Sequence, residues 1–344
     1  MNPSRLEEIL STFPTRRIAV IGDFFLDKYL DVDPALVEPS LETGLDAHQV
    51  SQVRCFAGVA GTVINNLSAL GIGQLHVIGA IGDDGEAYEL RKCLEATDCQ
   101  VDRLLSFDEL MTPTYLKPRD MTDASLQGEH SRYDTKNRRP TPSQVVEAVV
   151  SAMDELLGDI DALIVADQVE EAECGIITSA VRETLATRAT QFDSVIFWVD
   201  SRRFIREFRN VIIKPNQFET VGRANPSPDE RVDLEHLQRE LSALRQLTNA
   251  PVFVTMGERG MLVSDPAPQR IPTVSVSEPL DTTGAGDSTT AGCVAALTAG
   301  ASLEEAALIG NLVASITIQQ LATTGTAKPE QVVARLTEWH HRIV

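Results

Sequence analysis

The chain has 344 residues, 43% of them apolar and 23% charged, which are ordinary proportions for a globular protein with a large core. This length fits either one large α/β domain with an elaboration or two domains. The formal net charge of −20 argues against nucleic acid or an anionic membrane surface as partner, because like charges repel.

The cysteines and the N-terminal residues indicate a compartment. The cysteines are odd in number, scattered and without a Cys-x-x-Cys pair, which favours free thiols in a reducing environment: Cys55, Cys93, Cys99, Cys174 and Cys293. The N-terminal residues show no basic-plus-apolar targeting signal, and no apolar run reaches the length of a membrane span. We therefore expect a cytoplasmic protein with no membrane partner.

Short apolar runs predict buried strands at 18–22, 75–80, 162–166, 195–199, 211–213 and 252–256. Apolar residues at three- and four-residue spacing predict helices between them, at 144–157, 234–247 and 303–320. The last of these opens with a capping box at Ser302 and Glu305. Strands that alternate with helices predict a mainly parallel sheet with helices on both faces.

Two aspartates follow the first strand. Asp23 and Asp27 could accept hydrogen bonds from the hydroxyls of a polyol, because ionised carboxylates are strong acceptors. Either residue could equally cap a loop.

Two stretches interrupt the alternation of strands and helices. Residues 30–56 contain prolines and no helical period, and residues 111–139 are polar, with strand-like runs at 114–117 and 129–133. We expect both stretches to form a small sheet outside the main domain. The alternative is two long surface loops, but loops of that length are uncommon within a compact domain.

The strand at 211–213 leads into Lys-Pro-Asn-Gln-Phe-Glu at 214–219. Ligands of open α/β sheets bind at the carboxyl ends of strands, where Asn216 and Glu219 would lie. An amide and a carboxylate suit a hydrated magnesium ion and its phosphate. The alternative is that this Asn-x-x-Glu pattern only caps a helix.

A further strand ends at Thr255 and is followed by Gly257 and Gly260. In isolation, this pattern is more typical of a β-turn than of a binding site.

Residues 281–292 read Asp-Thr-Thr-Gly-Ala-Gly-Asp-Ser-Thr-Thr-Ala-Gly, between a strand-like stretch at 271–276 and a helical run at 288–299. Gly284 and Gly286 allow a tight turn, and the backbone N–H groups of a helix start favour an anion. Asp287 would repel a phosphate but could take a proton from a hydroxyl that attacks it. The alternative is a glycine turn whose Asp caps the helix.

These four segments, in this order, resemble the ribokinase family of carbohydrate kinases, of the phosphofructokinase-B type. The match of 281–292 to the C-terminal signature of the family is specific, and the resemblance covers nearly the whole chain. Segments 21–29, 214–219, 254–262 and 321–326 resemble the heptose-phosphate kinase branch. The resemblance implies a ribokinase-like three-layer α/β sandwich over residues 1–344, with lid segments inserted at about 30–56 and 111–135.

The resemblance also implies roles on the phosphoryl-donor side. Asp287 would be the catalytic base, and the N–H groups of Gly284, Ala285 and Gly286 would form the anion hole. Asn216 and Glu219 would hold magnesium and phosphate through water. The nucleotide ATP would be bound by a further group of residues: Thr255, Gly257, Gly260 and Asn311.

On the acceptor side, the resemblance implies that Asp27 contacts the sugar and that Arg132 lies near the end of the lid. A monovalent cation, usually potassium, often binds beside the signature loop in this family, here through Asp281 and Thr283. Many relatives pair through their lids, which implies a homodimer.

The chain departs from the N-terminal signature of the family, Gly-Gly-x-x-Asn, which binds the sugar. The matching residues begin at Ala57 and Gly58, Gly61 stands in the Asn position, and Asn65 follows four residues later. We expect Gly61 to leave volume in the acceptor site for a substituent that an Asn would exclude. Residues 167–170, Asp-Gln-Val-Glu, also differ from the Tyr and Lys-Gly of the heptose-phosphate kinase branch.

The sequence therefore predicts an ATP-dependent kinase that phosphorylates a hydroxyl of a sugar or sugar derivative by direct in-line transfer. One alternative is a nucleoside or other non-sugar kinase of the same fold, which an apolar acceptor pocket with Phe24, Phe25 and Phe56 would favour. Another is a non-catalytic sugar- or nucleotide-binding protein, against which the intact Asp287 argues.

Overall fold

The computed structural model describes residues 1–123, 128–227, 230–321 and 324–341. Residues 124–127 of the predicted lid and residues 322–323 of the segment 321–326 lie outside this description. The described strands are β1 Arg17–Gly22, β2 Phe24–Pro39, β3 Asp46–Val59, β4 Gln74–Ile81, β5 Gln100–Ser106, β6 Thr114–Asp120, β7 Tyr133–Thr135, β8 Ala162–Asp167, β9 Ile196–Ser201, β10 Ile212–Ile213, β11 Phe253–Thr255, β12 Met261–Val263 and β13 Gln269–Ile271. The described helices are α1 Pro3–Thr12, α2 Ala60–Ala69, α3 Gly85–Glu95, α4 Ser143–Asp154, α5 Ser179–Gln191, α6 Gln217–Thr220, α7 Leu234–Thr248, α8 Ala285–Thr298, α9 Leu303–Thr317 and α10 Pro329–His341.

The main sheet has the strand order β10-β9-β8-β1-β4-β5, and every pair in it is parallel. One hydrophobic core lies between this sheet and α1, α2, α3, α8, α9 and α10, and a second lies between the other face and α4, α5 and α7. The predicted three-layer α/β sandwich is therefore confirmed. Because all six strands run the same way, their carboxyl ends meet at one edge of the sheet, where a ligand can contact several of them.

The segments predicted to lie outside the main domain form a second sheet, with the order β3-β2-β6-β7. Strands β2 and β3 make a long antiparallel hairpin, and β6 runs parallel to β2. Lys28 of β2 forms an ion pair with Glu86 of α3, with 3.3 Å between Nζ and Oε1. Because neighbouring residues in a strand face opposite sides, Asp27 lies on the face turned away from α3.

A third, antiparallel sheet contains β11, β12 and β13. It adjoins the main sheet through parallel bridges from Ile213 to Val252 and from Asn216 to Thr255. The strand predicted at 271–276 is wrong, because β13 ends at Ile271. The next residue is Pro272, which has no N–H to donate to a neighbouring strand.

The helices predicted from apolar spacing are present as α4, α7 and α9, and α9 has the predicted capping box, in which Ser302 and Glu305 each bond to the other's backbone. The pattern did not indicate α2, whose residues are buried on nearly every side, so that no polar stripe marks a period. None of the described helices combines the length and apolar character needed to cross a membrane.

Candidate active site

A cavity of about 590 Å³ lies where the carboxyl ends of β8, β9 and β10 face the start of α8. Its polar lining comes from segments that are far apart in the sequence: Gln168, Asp200, Arg202, Lys214, Asn216, Glu219, Thr255, Thr282, Thr283 and Asp287. The strand order places these residues together, because β8, β9 and β10 are neighbours in the sheet.

The glycine turn before α8 has the geometry of an anion site, with one change from the expected set of donors. Gly284 has a φ of +75°, a backbone conformation that favours glycine. The N–H of Ala285 donates to the carbonyl of Thr282 within the turn, at 3.1 Å. The N–H groups of Gly284, Gly286 and Asp287 have no acceptor among the described residues. The donors open to an anion are therefore those of Gly284, Gly286 and Asp287, and Asp287 takes the place of Ala285.

Asp287 lies in the first turn of α8 and lines the cavity. Burial, then the charge of Asp200 and to a smaller extent that of Asp27, raises the pKa of Asp287 to about 8, against the opposing charges of Lys214 and Arg202. A carboxyl group with a pKa near 8 is a stronger base than an ordinary aspartate, because its conjugate acid holds the proton more tightly.

Lys214 and Asp200 form a buried ion pair beneath the glycine turn, with 2.8 Å between Nζ and Oδ2. Burial favours the neutral amine, but the charge of Asp200 and its hydrogen bond outweigh burial and raise the pKa of Lys214. A Cβ atom on Gly286 would lie 3.5 Å from Nζ of Lys214. Sequence reasoning assigned no role to either residue, although each is a charged residue at the carboxyl end of an apolar strand.

Asn216 and Glu219 form a capping box at the start of α6. Asn216 Oδ1 accepts the N–H groups of Phe218 and Glu219, and Glu219 Oε2 accepts the N–H of Asn216 at 2.7 Å. Both residues also line the cavity. Burial, and then the charge of Asp200, raises the pKa of Glu219 to about 7. The helix-cap interpretation is therefore correct, and it does not exclude a site, since Glu219 Oε1 remains free of the cap.

A second cavity, of about 680 Å³, shares Thr255, Gly257, Thr282 and Gly286 with the first. Its apolar lining comes mainly from the chain after β13 and from α9: Val274, Val276, Leu280, Ala314 and Ile318. Gly260 and Asn311 also line it. The Asn311 amide donates to the carbonyl of Ile271 at 3.1 Å, so that it also fixes this wall of the cavity.

On the acceptor side, Asp27 is buried and accepts a hydrogen bond from Nζ of Lys117, with 2.6 Å between Nζ and Oδ1. Gly58 of the neighbouring strand β3 leaves the space that the Asp27 carboxylate occupies. The two predicted residues therefore lie side by side on the β3-β2-β6-β7 sheet, which contains the predicted lid segments and is called the lid sheet.

The carboxylate of Asp23, which could have bound a polyol, is instead occupied by backbone N–H groups. Its Oδ2 accepts the N–H groups of Gln168 and Val169 at 2.9 and 3.2 Å, and its Oδ1 accepts the N–H of Ile176 at 2.9 Å. The side chain is buried and anchors the loop after β8. The loop-capping alternative fits this geometry.

The expectation that Gly61 opens volume for a substrate is wrong. Gly61 is buried in α2, and a Cβ atom there would lie 2.4 Å from Cβ of Ala57. Glycine at 61 therefore permits close packing of α2 on β3. Asn65 donates to the carbonyl of Ala57 at 3.4 Å. Neither Gly61 nor Asn65 lines the two cavities, whereas Thr62 comes within 3.1 Å of the position of a Cβ on Gly284.

Three predicted residues remain, namely Arg132, Asp281 and Thr283. Arg132 forms an ion pair with Asp134, with 2.8 Å between Nε and Oδ1, and its guanidinium lies 4.6 Å from the centre of the Tyr115 ring. Asp281 is buried and accepts the N–H of Thr283 at 3.0 Å, and Thr283 lines the first cavity.

The fold is shared with solved sugar kinases. A ribokinase from Arabidopsis thaliana, complexed with ribose and ATP, matches with a TM-score of 0.66 and 17% identity over 93% of this chain and 98% of its own. A ribokinase from Thermotoga maritima matches with a TM-score of 0.65 and 20% identity over 94% and 99%. Phosphofructokinase-2 from Escherichia coli gives 0.65 and 16% over 93% and 98%.

Curated relatives are similar along almost the whole chain. The bifunctional protein HldE of Sulfurimonas denitrificans is 27% identical over 334 residues, which are 96% of this chain and 66% of that protein. The bifunctional protein HldE of a Nitratiruptor species is 28% identical over 317 residues, 92% of this chain and 64% of that protein. The chain thus spans slightly less than two thirds of the length of these relatives.

The profile of the pfkB family carbohydrate kinases matches residues 16–330. This range contains the glycine turn, Asp287 and both cavities. The chain therefore belongs to the pfkB family of carbohydrate kinases.

Proposed function

We propose that this protein transfers the γ-phosphoryl group of ATP to a hydroxyl of a sugar or sugar derivative, with Asp287 as general base. One observation carries the proposal. A buried carboxyl group, with its pKa raised to about 8, stands in the first helical turn beside open backbone N–H groups at Gly284, Gly286 and Asp287. A base and an anion site in contact are what phosphoryl transfer to a hydroxyl requires.

In this mechanism, Asp287 accepts the proton of the acceptor hydroxyl as its oxygen attacks the γ-phosphorus. The new O–P bond forms in line with the P–O bond to ADP, which breaks with its electron pair on the ADP oxygen. No covalent enzyme intermediate forms. The N–H groups at 284, 286 and 287, with the positive end of the α8 dipole, stabilise the charge on the phosphoryl oxygens.

The donor nucleotide fits the second cavity, whose apolar walls suit a base and which joins the first cavity at Thr255, Gly257 and Gly286. The ribokinase with ribose and ATP, which has the same fold, supports ATP as the donor. Gly260 and Asn311 would shape the wall on the nucleotide side, because both contact the chain at the end of β13.

The residues present fit a hydrated magnesium ion. Asn216 and Glu219 offer an amide and a carboxylate at the cavity, and Glu219 Oε1 is left free by the capping box. When bound, magnesium would neutralise phosphate charge. Glu219 would hold its water shell, and Asn216 would fix the position of Glu219. We also keep the prediction of a potassium ion through Asp281 and Thr283.

The acceptor would bind against Asp27 and Gly58 on the lid sheet, with Arg132 towards the end of the lid. The similarity to the HldE proteins supports a phosphorylated heptose as one candidate acceptor. The chain differs from the heptose-phosphate kinase branch at residues 167–170. The first of these, Asp167, has a structural role, because it is buried and accepts a 2.6 Å hydrogen bond from Ser201 Oγ. We therefore keep the acceptor as a sugar or sugar derivative.

The proposal extends to the organisation of the protein. Residues 1–344 would form one kinase domain, with lid segments at about 30–56 and 111–135. Exposed apolar side chains on the lid, including Leu36, Leu41 and Val53, support pairing of two copies through it. The five free cysteines support a reducing compartment such as the cytoplasm.

The test is a panel of sugars, sugar phosphates and nucleosides with Mg·ATP, in which ADP formation is measured with wild-type protein and with Asp287→Asn. We expect one class of sugar to stimulate ADP formation, and only with wild type. Stimulation by nucleosides alone would establish the non-sugar kinase instead. Binding of a sugar without stimulation would establish a non-catalytic binding protein.

A further inference from the structure

The ion pair of Lys214 and Asp200 lies at the wall of the first cavity, where an ion pair with only a structural role need not lie. Both residues are buried, and both line the 590 Å³ cavity. Removing two charges from water carries a large desolvation cost, so a buried ion pair is weak evidence for a role in stability alone.

The ammonium of Lys214 has unused hydrogen-bonding capacity. It carries three N–H donors, and Asp200 is its only hydrogen-bond partner in the described part of the chain. Asp200 also accepts a hydrogen bond from Thr290 Oγ1 of α8, at 3.4 Å, which ties the pair to the helix that carries Asp287. Asp200 of β9, itself bonded to α8, holds the ammonium of Lys214 in place. The remaining donors of this ammonium therefore lie at the cavity.

The charges around the glycine turn show what these donors can do. Three carboxyl groups line the cavity, at Asp200, Glu219 and Asp287, whereas its cations are Lys214 and Arg202. The side chain of Arg202 is 63% exposed and paired with Glu170. Lys214 is thus the buried cation among the described residues that line this cavity.

The distance to the glycine turn is short. A Cβ atom on Gly286 would lie 3.5 Å from Nζ of Lys214 and 3.8 Å from Oδ2 of Asp200. An anion bound to the N–H groups of 286 and 287 would therefore come close to the ammonium. Glycine at 286 leaves this approach free, because a side chain there would contact the ammonium.

We propose that Lys214 is a catalytic residue, whose ammonium donates a hydrogen bond to the phosphoryl group during transfer, and that Asp200 is the positioning residue that aims it. The inference rests on the proposed kinase reaction and adds no bond-making step to it. As the P–O bond to ADP breaks, negative charge grows on the oxygens around the transferring phosphorus. A fixed ammonium therefore stabilises the transition state more than it stabilises the ground state.

The experiment compares wild type with Lys214→Met, Asp200→Asn and the double variant Lys214→Met/Asp200→Asn. Proteins often tolerate the removal of both charges of a buried ion pair, because no unpaired charge is left behind. The double variant should therefore fold even if Lys214→Met alone does not. The control is Lys28→Met, which breaks the ion pair to Glu86 on the other side of the lid sheet. Melting temperature, turnover and the binding of Mg·ADP with and without aluminium fluoride are measured.

We expect both variants with Met at 214 to lose about 100- to 1,000-fold in turnover, the range for removal of one transition-state donor. Binding of Mg·ADP should change by less than about threefold, whereas the Mg·ADP–aluminium fluoride complex should weaken about as much as turnover falls. Asp200→Asn should lose less than Lys214→Met, and its effect should vanish when position 214 is Met. Lys28→Met should resemble wild type.

Two results would overturn the inference. One is a folded double variant with turnover within about tenfold of wild type. The other is an equal loss of affinity for Mg·ADP and for its aluminium fluoride complex, which indicates ground-state binding only. If wild type itself phosphorylates no member of the acceptor panel, the proposed function fails first, and this inference fails with it.

Discussion

A Cβ atom on Gly58 would lie 2.3 Å from Oδ2 of Asp27, closer than any stable contact between a carbon and a carboxylate oxygen. Oδ1 of Asp27 is held by Lys117 at 2.6 Å, so the carboxylate is fixed between the two lid strands β3 and β6. The glycine of the sugar-binding segment thus determines where this carboxylate lies.

Gly58→Ala is therefore expected to displace the Asp27 carboxylate. The KM for the acceptor should rise about tenfold, equivalent to about 1.4 kcal/mol, with little change in the KM for ATP. Gly85→Ala at the start of α3 is the matched control, because nothing lies within 4 Å of its added Cβ. Steady-state kinetics measure both. An unchanged acceptor KM in folded Gly58→Ala would mean that Asp27 does not contact the acceptor.

Asp287→Asn should lower turnover about a hundredfold to ten-thousandfold and leave ATP binding nearly intact, because an amide keeps the shape but cannot take the proton. In wild type, the burial that raises the pKa of Asp287 to about 8 should make kcat/KM fall as the pH drops below about 8. Turnover within tenfold of wild type, or a flat profile between pH 6 and pH 9, would remove Asp287 from the role of base.

The same substitution should stabilise the ligand-free protein at alkaline pH. With a folded pKa of about 8 against an ordinary 3.8, native Asp287 keeps a proton that the unfolded chain releases. Its contribution to stability is therefore complete below about pH 4 and is lost as the pH rises towards and through 8. Asn carries no such dependence. The melting temperature of Asp287→Asn should exceed that of wild type by about 2–5 °C at pH 9, with a smaller gap at pH 5. Scanning calorimetry at both pH values checks this; an equal or lower melting temperature at pH 9 would contradict it.

Glu219→Gln should raise the magnesium concentration needed for half-maximal activity more than it changes the acceptor KM. Gln still offers an oxygen to the N–H of Asn216, so the capping box should survive while the negative charge is lost. Activity is titrated against magnesium at saturating ATP. Glu305→Gln, in the capping box of α9, controls for the cap itself. Superimposable magnesium curves for wild type and Glu219→Gln would leave Glu219 as a helix cap only.

Gly61→Ala should destabilise the fold without changing acceptor preference, because the new methyl group meets Cβ of Ala57 at 2.4 Å. Overpacking of this kind costs about 1–3 kcal/mol. The double variant Gly61→Ala/Ala57→Gly removes the clash and should recover most of the loss in a urea unfolding experiment. A change in the ranking of acceptors, with stability unchanged, would instead return position 61 to the acceptor site.

Several parts of this protein followed from the sequence alone. Apolar runs indicated five of the six strands of the main sheet, all but β5, and helical spacing indicated α4, α7 and α9, because these patterns reflect local backbone geometry and burial. The apolar run at 252–256 forms β11 of the third sheet instead. The string from Asp281 to Gly292 carried the phosphoryl-transfer prediction, since a glycine turn, a helix start and a carboxylate are adjacent in the chain.

The tertiary structure decided the rest. Asp200 and Lys214 meet because β9 and β10 are neighbours in the sheet, and the strand order depends on packing across the whole chain. Gly61 packs against Ala57, and the sequence does not show which atom faces a glycine. From the sequence, Asp23 could bind either a ligand or a loop. The packing of the chain after β8 against Asp23 shows that it binds the loop. Local patterns name the residue types near a site, but the direction of each side chain is set by contacts between segments distant in sequence.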